Sequence, residues 1–435
     1  MPCHPYNASI SGISTKIFGA QKNRLYMEPK HPVQHPNIQQ EWNPRSQTTG
    51  TQRSSMKIGI TCYPTYGGSG VVATELGIEL AERGHEVHFI SYAQPFRLAG
   101  RESRIRFHEV PVTNYPLFEF PPYDLALATR MAEVAEYSDL DLLHVHYAIP
   151  HSVSALLARQ MLARTGRRLP FVTTLHGTDI TLVGADRAYL PITRYAIEES
   201  DGVTAISSYL RQQTVDTFGI QREIAVISNF VNCDLYLRNR PVAERLRAQY
   251  AQPAERLLVH LSNFRPVKRV RDVIEIFARV AEQMPARLLM VGDGPERSMA
   301  EWLAMHLKIH DRVHFLGKME SIHELLPVAD LMLMPSELES FGLAALEAMA
   351  CEVPTIGTDV GGMAELIEHN VTGMLFPVGA VAEMSEAAIA LLRDPERLQT
   401  MAKAARCEAQ RTFCASRVIA SYERFYESVL NGPAR

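Results

Sequence analysis

From Lys57 nearly to its end, the chain alternates short apolar runs with amphipathic stretches. The apolar runs at 57–63, 86–92, 105–112, 142–147, 171–176, 203–207 and 224–229 predict a first series of strands. Those at 257–263, 287–292, 313–317, 331–335, 354–358 and 374–377 predict a second. Helical periodicity fills many of the gaps, as at 70–83, 271–283 and 296–306. Strands that are apolar along their whole length, separated by helices, belong to parallel sheets covered on both faces. One sheet of so many strands is improbable. The expected architecture is therefore α/β, with two doubly wound, Rossmann-like domains. The polar stretch 231–256, with Arg238-Asn239-Arg240-Pro241, marks the break, so the domains are expected at 56–230 and 231–414. The segment 415–430 is helical, with Tyr and Phe along it, and is expected to pack back on the first domain. Ligands of such sheets bind beyond the carboxyl ends of the strands, which here means the cleft between the domains.

Composition narrows the function. The chain has 435 residues, 46% of them hydrophobic, enough for two or three cored domains. A net charge of -4 lacks the basic surplus of a non-specific nucleic-acid binder. No apolar run approaches the roughly 20 residues of a membrane span. The six cysteines, at 3, 62, 233, 351, 407 and 414, contain no CxxC pair. They point to buried thiols in a reducing cytoplasm and not to a disulfide frame or zinc site. Residues 1–55 are rich in Pro, Gln, Asn, Ser and Thr and lack periodicity, so disorder is expected there. Met56, which opens directly into a strand, is the expected natural start.

The densest chemistry lies in Glu339-Ser340-Phe341-Gly342-Leu343, which leads into a Gly–Ala-rich helix carrying Glu347. A helix opening near Phe341, Gly342 and Leu343 presents unpaired N–H groups and a positive dipole end to an anion. Two acidic acceptors flanking that anion site suit a sugar that carries a phosphate. The plain alternative is a first-turn acid and an exposed helix glutamate. After the first strand, Gly67-Gly68-Ser69-Gly70 opens a helix and can approach a phosphate or carboxylate. It is neither a P-loop nor GxGxxG, and a tight turn explains it equally well. At the start of the second series, Arg265 and Lys268 stand three residues apart at a strand end, able to clamp a diphosphate, or simply solvated. His176-Gly177 ends another strand and could offer an imidazole to a ligand. His144-x-His146 shares a strand face but lacks a third ligand, so packing is expected of His144 and no metal site is expected. Gly292-Asp293-Gly294-Pro295-Glu296 could cup a base or be only a turn.

Together these residues resemble the retaining glycosyltransferases of the GT-B class, family 4, over nearly all of 56–430. The E-x7-E element from Glu339 to Glu347 is its most specific mark, beside Arg265/Lys268 and the Gly67–Gly70 loop. The runs 58–64, 146–151, 173–179 and 259–265 look like the branch that glycosylates L-malate on the way to bacillithiol. The resemblance implies a UDP-N-acetylglucosamine donor, no metal or other cofactor, and L-malate as acceptor. It assigns the donor to Gly68, Asn229, Arg265, Lys268, Glu339, Ser340, Phe341, Gly342, Leu343 and Glu347. Ser69, Tyr147, Thr174 and Arg194 would hold malate. His176, Glu339, Arg265 and Lys268 would serve the transfer itself, with His176 positioning the sugar and the leaving phosphate assisting deprotonation. Homo-oligomer formation is left open. Other readings are the same donor with an inositol phosphate acceptor, a non-catalytic sugar-nucleotide binder, or an epimerase. One departure stands out: after Ala348-Met349-Ala350-Cys351 the family usually carries Gly, and this chain carries Glu352.

Overall fold

The computed structural model describes residues 55–432, except 66, 96–97, 99–103, 113–115, 118, 182 and the side chain of Arg240. The expectations for residues 1–54 lie outside the described residues. Two parallel sheets organise the rest. The first contains β1 (Lys57–Thr61), β2 (Glu86–Ser91), β3 (Ile105–Glu109), β4 (Leu142–His146), β5 (Phe171–Leu175), β6 (Gly202–Ala205) and β7 (Ala225–Val226). The second contains β8 (Arg256–Leu261), β9 (Ala286–Val291), β10 (Val313–Gly317), β11 (Leu331–Met334), β12 (Thr355–Thr358) and β13 (Gly373–Phe376). Their orders are β3-β2-β1-β4-β5-β6-β7 and β10-β9-β8-β11-β12-β13. Both orders reverse direction beside their first strand, between β1 and β4 and between β8 and β11. That reversal is the topological switch point of a doubly wound sheet, where ligands bind.

The apolar periodicity accounts for the elements. β4 and β5 are buried at every residue, and β11 is Leu-Met-Leu-Met with none exposed. The predicted strand at 224–229 shrinks to Ala225–Val226, an edge pair whose residues are only half covered. The helix Val270–Gln283 buries one face, including Val273, Ile276, Phe277 and Val280, against the second sheet. The helix Ala415–Asn431 crosses back to the first sheet: Val418, Ile419, Tyr422 and Tyr426 join the core built on Ile58, Ile60 and Leu76. The crossing is pinned where Val231 N–H donates to Phe413 O at 3.0 Å and Ala415 N–H to Val231 O at 2.9 Å. Cys62, Cys233 and Cys351 are buried free thiols. Burial pushes Cys62 up to about 12, which keeps it protonated and inert. Among the described residues, no helix is long and apolar enough to cross a membrane.

Candidate active site

The loops after the switch-point strands meet around a cavity of ≈ 680 Å³. Pro64, Thr65, Gly67, Gly68 and Val71 come from the first sheet's side. Arg265, Lys268, Glu339, Leu343 and Glu347 come from the second. Six of the residues singled out for the donor, Gly68, Arg265, Lys268, Glu339, Leu343 and Glu347, thus line one space.

Each wall has a local cause. On the first side, the helix Gly68–Glu82 begins with no side-chain cap, which leaves its first N–H groups to the cavity. Gly70 is needed here because a Cβ would come within 2.6 Å of the Tyr63 and Thr65 carbonyl oxygens. On the second side, Arg265 precedes the short turn Pro266–Lys268 just beyond β8. Lys268 Nζ stands 2.6 Å from Glu339 Oε1, so the cation and the acid are already paired. The helix Leu343–Ala350 is capped by Gly342 at φ 94, with no side-chain acceptor on its first N–H groups. That end is open to an anion, as its sequence suggested. Phe341 does not offer its ring to the cavity; it is buried edge-on to Phe413, 5.6 Å between centroids. Glu347 is buried, and its Oε1 accepts the Tyr236 hydroxyl at 2.7 Å. The Gly292–Pro295 turn and Lys318 also line the cavity.

Ser69, Tyr147, His146 and His176 form a second cluster, with the Tyr147 and His176 ring centroids 5.4 Å apart. Ser69 Oγ donates to the Tyr147 hydroxyl at 3.0 Å. Desolvation raises the Tyr147 phenol further above its ordinary value, and the Asp179 charge adds to this. His176 is 8% exposed and does not line the cavity. Its Nε2 lies 2.8 Å from His146 Nδ1. His146 Nε2 is buried without a partner. An orphaned buried N–H is costlier than an orphaned lone pair, which assigns the His146 proton to Nδ1 and makes His176 Nε2 the acceptor. Burial holds His176 down to about 3 and His146 well below its ordinary value, so both rings are neutral. Asp179 fixes the loops carrying this cluster. Its Oδ1 accepts from the His176 and Gly177 N–H groups at 3.1 and 2.8 Å, and its Oδ2 accepts from Ala148 N–H at 2.9 Å. Gly177, at φ 122, lies so close to the other domain that a Cβ would fall 1.8 Å from Ser340 Oγ. The His176 loop therefore abuts the donor loop at Ser340 rather than facing the cavity directly.

Three residues are placed differently from expectation. Thr174 is fully buried on β5, and its hydroxyl is held 2.7 Å from both His144 Nε2 and Thr204 Oγ1. Its hydroxyl is tied inside the sheet by these two partners, beneath the loop that carries His176. Arg194 is exposed on the helix Leu190–Glu199, which packs beside the turn Ala148–Ser152, and it takes no part in the Ser69–Tyr147–His176 cluster. Asn229 is buried with Oδ1 unpartnered and is not among the residues that line the cavity. His144 packs as expected, tied to Thr174 and to the Tyr426 hydroxyl at 2.7 Å. Sequence reasoning missed Tyr236 and Asp179. Asp179 had a legible signal, an acid three residues after a strand-end histidine; Tyr236 had none. Among the described residues, no group of three or more His, Cys, Asp or Glu is placed to hold a metal ion.

Comparison with known proteins gives the same outline. The signature described as Glycosyltransferase Family 4 spans residues 66–235, and that of Glycosyl transferases group 1 spans 242–408. The chain is 49% identical to N-acetyl-alpha-D-glucosaminyl L-malate synthase of Bacillus anthracis, over 86% of this chain and 97% of that one. It is 28% identical to D-inositol 3-phosphate glycosyltransferase of Nocardia farcinica, over 77% and 79% of the two chains. Its fold matches that of Anabaena Alr3699/HepE, solved with UDP and glucose, with a TM-score of 0.73 at 21% identity, covering 86% of this chain and all of that one.

Proposed function

Because the chain belongs to glycosyltransferase family 4, with the GT-B fold, we propose that it transfers N-acetylglucosamine from UDP-N-acetylglucosamine to the hydroxyl of L-malate with retention at the anomeric carbon. This is the entry reaction of bacillithiol biosynthesis. The observation that carries the reading is the convergence of Arg265, Lys268, Glu339, Glu347 and Gly68 on one cavity. It occurs in a chain that is close, over nearly its full length, to a malate-glycosylating relative.

Arg265, Lys268 and the open N-terminus of the helix Leu343–Ala350 would hold the diphosphate. Glu339 would accept from sugar hydroxyls and Glu347 from the ribose. The malate hydroxyl oxygen forms the new bond to the anomeric carbon while the bond from that carbon to the diphosphate oxygen breaks on the same face. The hydroxyl proton passes to a leaving phosphate oxygen. Charge grows on the diphosphate, and the two cations and helix N–H groups would stand beside it to stabilise it. His176 is neutral with Nε2 already occupied by His146, so it acts by position and not as a base. For malate, the Gly67–Gly70 helix start and the Ser69–Tyr147 pair supply donors suited to carboxylates. The chemistry proposed needs no metal or other cofactor.

The test is incubation with UDP-N-acetylglucosamine and L-malate. One UDP should appear per glycosyl-malate, with an α linkage by proton NMR. Product with D-inositol 3-phosphate and none with malate would replace the acceptor; UDP binding without transfer to either would leave only a binder.

A further inference from the structure

A second set of contacts ties the two domains together behind the donor loop. The helix Ser208–Phe218, which follows β6, starts with Ser207 as its N-cap: Ser207 Oγ accepts from Leu210 N–H at 3.1 Å. The same hydroxyl donates across the domain boundary to the carbonyl oxygen of Ser340 at 2.7 Å. The helix's next two N–H groups, of Ser208 and Tyr209, donate to Glu365 Oε2 and Oε1 at 2.8 and 2.7 Å. Glu365 belongs to the other domain, on the short helix Met363–Leu366. A first-domain helix is thus capped by a second-domain carboxylate, through two short charge-assisted bonds aligned with the helix dipole.

The location gives the contact a role. Glu365 follows Gly362, whose N–H donates to Glu339 O at 2.9 Å, so its helix rests against the back of the Glu339–Gly342 loop. Ser340 is held from one side by Ser207 and closely faced from the other by Gly177, next to His176. The donor loop is therefore sandwiched between first-domain elements, and Glu365 clamps the sandwich shut. Opening the cleft on this side must break the Ser207 bond and both Glu365 bonds together.

We infer that Glu365 is a positioning residue: a latch that caps the first domain's helix only when the domains are closed, setting the donor loop against the acceptor loops. Glu365 does not line the cavity. Its carboxylate is exposed, so it can exchange partners with water each time the cleft opens. The choice of UDP and of malate in its assays rests on the reading under Proposed function.

The test uses the full chain with Glu365→Ala and Glu365→Gln. UDP affinity, measured by calorimetry, should stay within about twofold, because the nucleotide is held by the second domain. With malate, kcat/KM should fall about 2- to 30-fold in Glu365→Ala, the range for loss of a helix cap. Glu365→Gln, which keeps an acceptor oxygen but loses the charge, should fall between it and the wild type. In solution scattering with UDP bound, Glu365→Ala should show a larger radius of gyration than the wild type. Equal radii overturn the latch, and this arm does not depend on the acceptor. Undiminished kcat/KM in Glu365→Ala also overturns it. So does a joint loss of UDP affinity and thermal stability, which would make Glu365 a structural residue. A wild type that turns over inositol phosphate and not malate refutes the acceptor assignment, while the scattering and calorimetry still decide the latch.

Discussion

Lys268 Nζ lies 2.6 Å from Glu339 Oε1, and the two residues join the turn after β8 to the loop after β11. These loops leave neighbouring strands on either side of the second sheet's switch point. The pair keeps a cation and an acid inside the cavity compensated until a substrate supplies a better partner for each. A diphosphate would draw on Lys268, and Glu339 would turn to the sugar's hydroxyls. On the proposed reaction, replacing Lys268 by Ala removes a positive charge from the place where negative charge would develop. The expected loss in kcat is about 10²–10³-fold, measured by UDP release. Lys268→Arg should recover only part of it, because a planar fork does not replace a point charge. Full activity in Lys268→Ala would remove this residue from the reaction.

Tyr236 meets Glu347 across 111 residues of chain. Its ring is buried and its hydroxyl donates to the carboxylate at 2.7 Å. Tyr236→Phe keeps the packing and deletes one bond to a charged group, worth about 1.5–3 kcal/mol. If Glu347 holds the ribose, the donor KM should rise by about tenfold or more while the malate KM stays constant. Equal changes in both would show that Tyr236 serves the fold and not the nucleotide.

The buried imidazoles make a pH prediction. Desolvation holds His144 and His176 down to about 3, and His151 and His260 down to about 4. In the unfolded chain each titrates near its ordinary value of about 6.5. Above that pH all are neutral in both states and contribute no pH dependence. As the pH falls through 6.5 the unfolded chain takes up protons that the folded chain refuses. Stability is therefore lost progressively from about pH 6.5 down to about 4, at about 1.4 kcal/mol per pH unit for each histidine. Urea unfolding between pH 7.5 and 4.5 should show the midpoint falling steeply below pH 6. A flat midpoint over that range would mean these rings are reached by solvent.

How far the sequence carries differs between fold and site. The strands were legible because β11 is apolar on both faces and β4 and β5 are mostly apolar runs, all three buried at every residue as a covered parallel sheet requires. The second-domain wall of the cavity was legible because its residues are local: Glu339 and Glu347 flank one helix start, and Arg265 and Lys268 share one turn. The acceptor side was less legible because its pairings are made between strands. Thr174 looked available for a ligand, but in register it stands among His144, Thr204 and the C-terminal helix, whose Tyr422 also hydrogen-bonds it. A single sequence does not show which strand lies beside which. Arg194 looked useful as a cation and is instead on an exposed helix face. The His146–His176 and Glu365–Ser208 contacts were invisible for the same reason: one joins neighbouring strands' ends and the other joins two domains.

Glu352 tests the one local rule this chain breaks. The helix Leu343–Ala350 ends with Val353 N–H donating to Ala348 O at 2.9 Å and Glu352 N–H donating to Met349 O at 3.1 Å. These are the two bonds of a Schellman ending, with Glu352 in the position usually filled by glycine. Its φ is 59°, the left-handed region, where a side chain costs about 1–2 kcal/mol. Glycine would relieve that strain and return part of the gain, because it leaves the unfolded chain freer. Glu352→Gly should therefore stabilise the protein by about 1 kcal/mol, raising the thermal midpoint by about 1 °C in a chain of this size. Glu352 does not line the cavity, so turnover should be unchanged. Asn, which tolerates the left-handed region better than Glu, should give a smaller gain in the same direction. A lower midpoint in Glu352→Gly would mean that contacts of the Glu352 side chain outweigh its backbone strain.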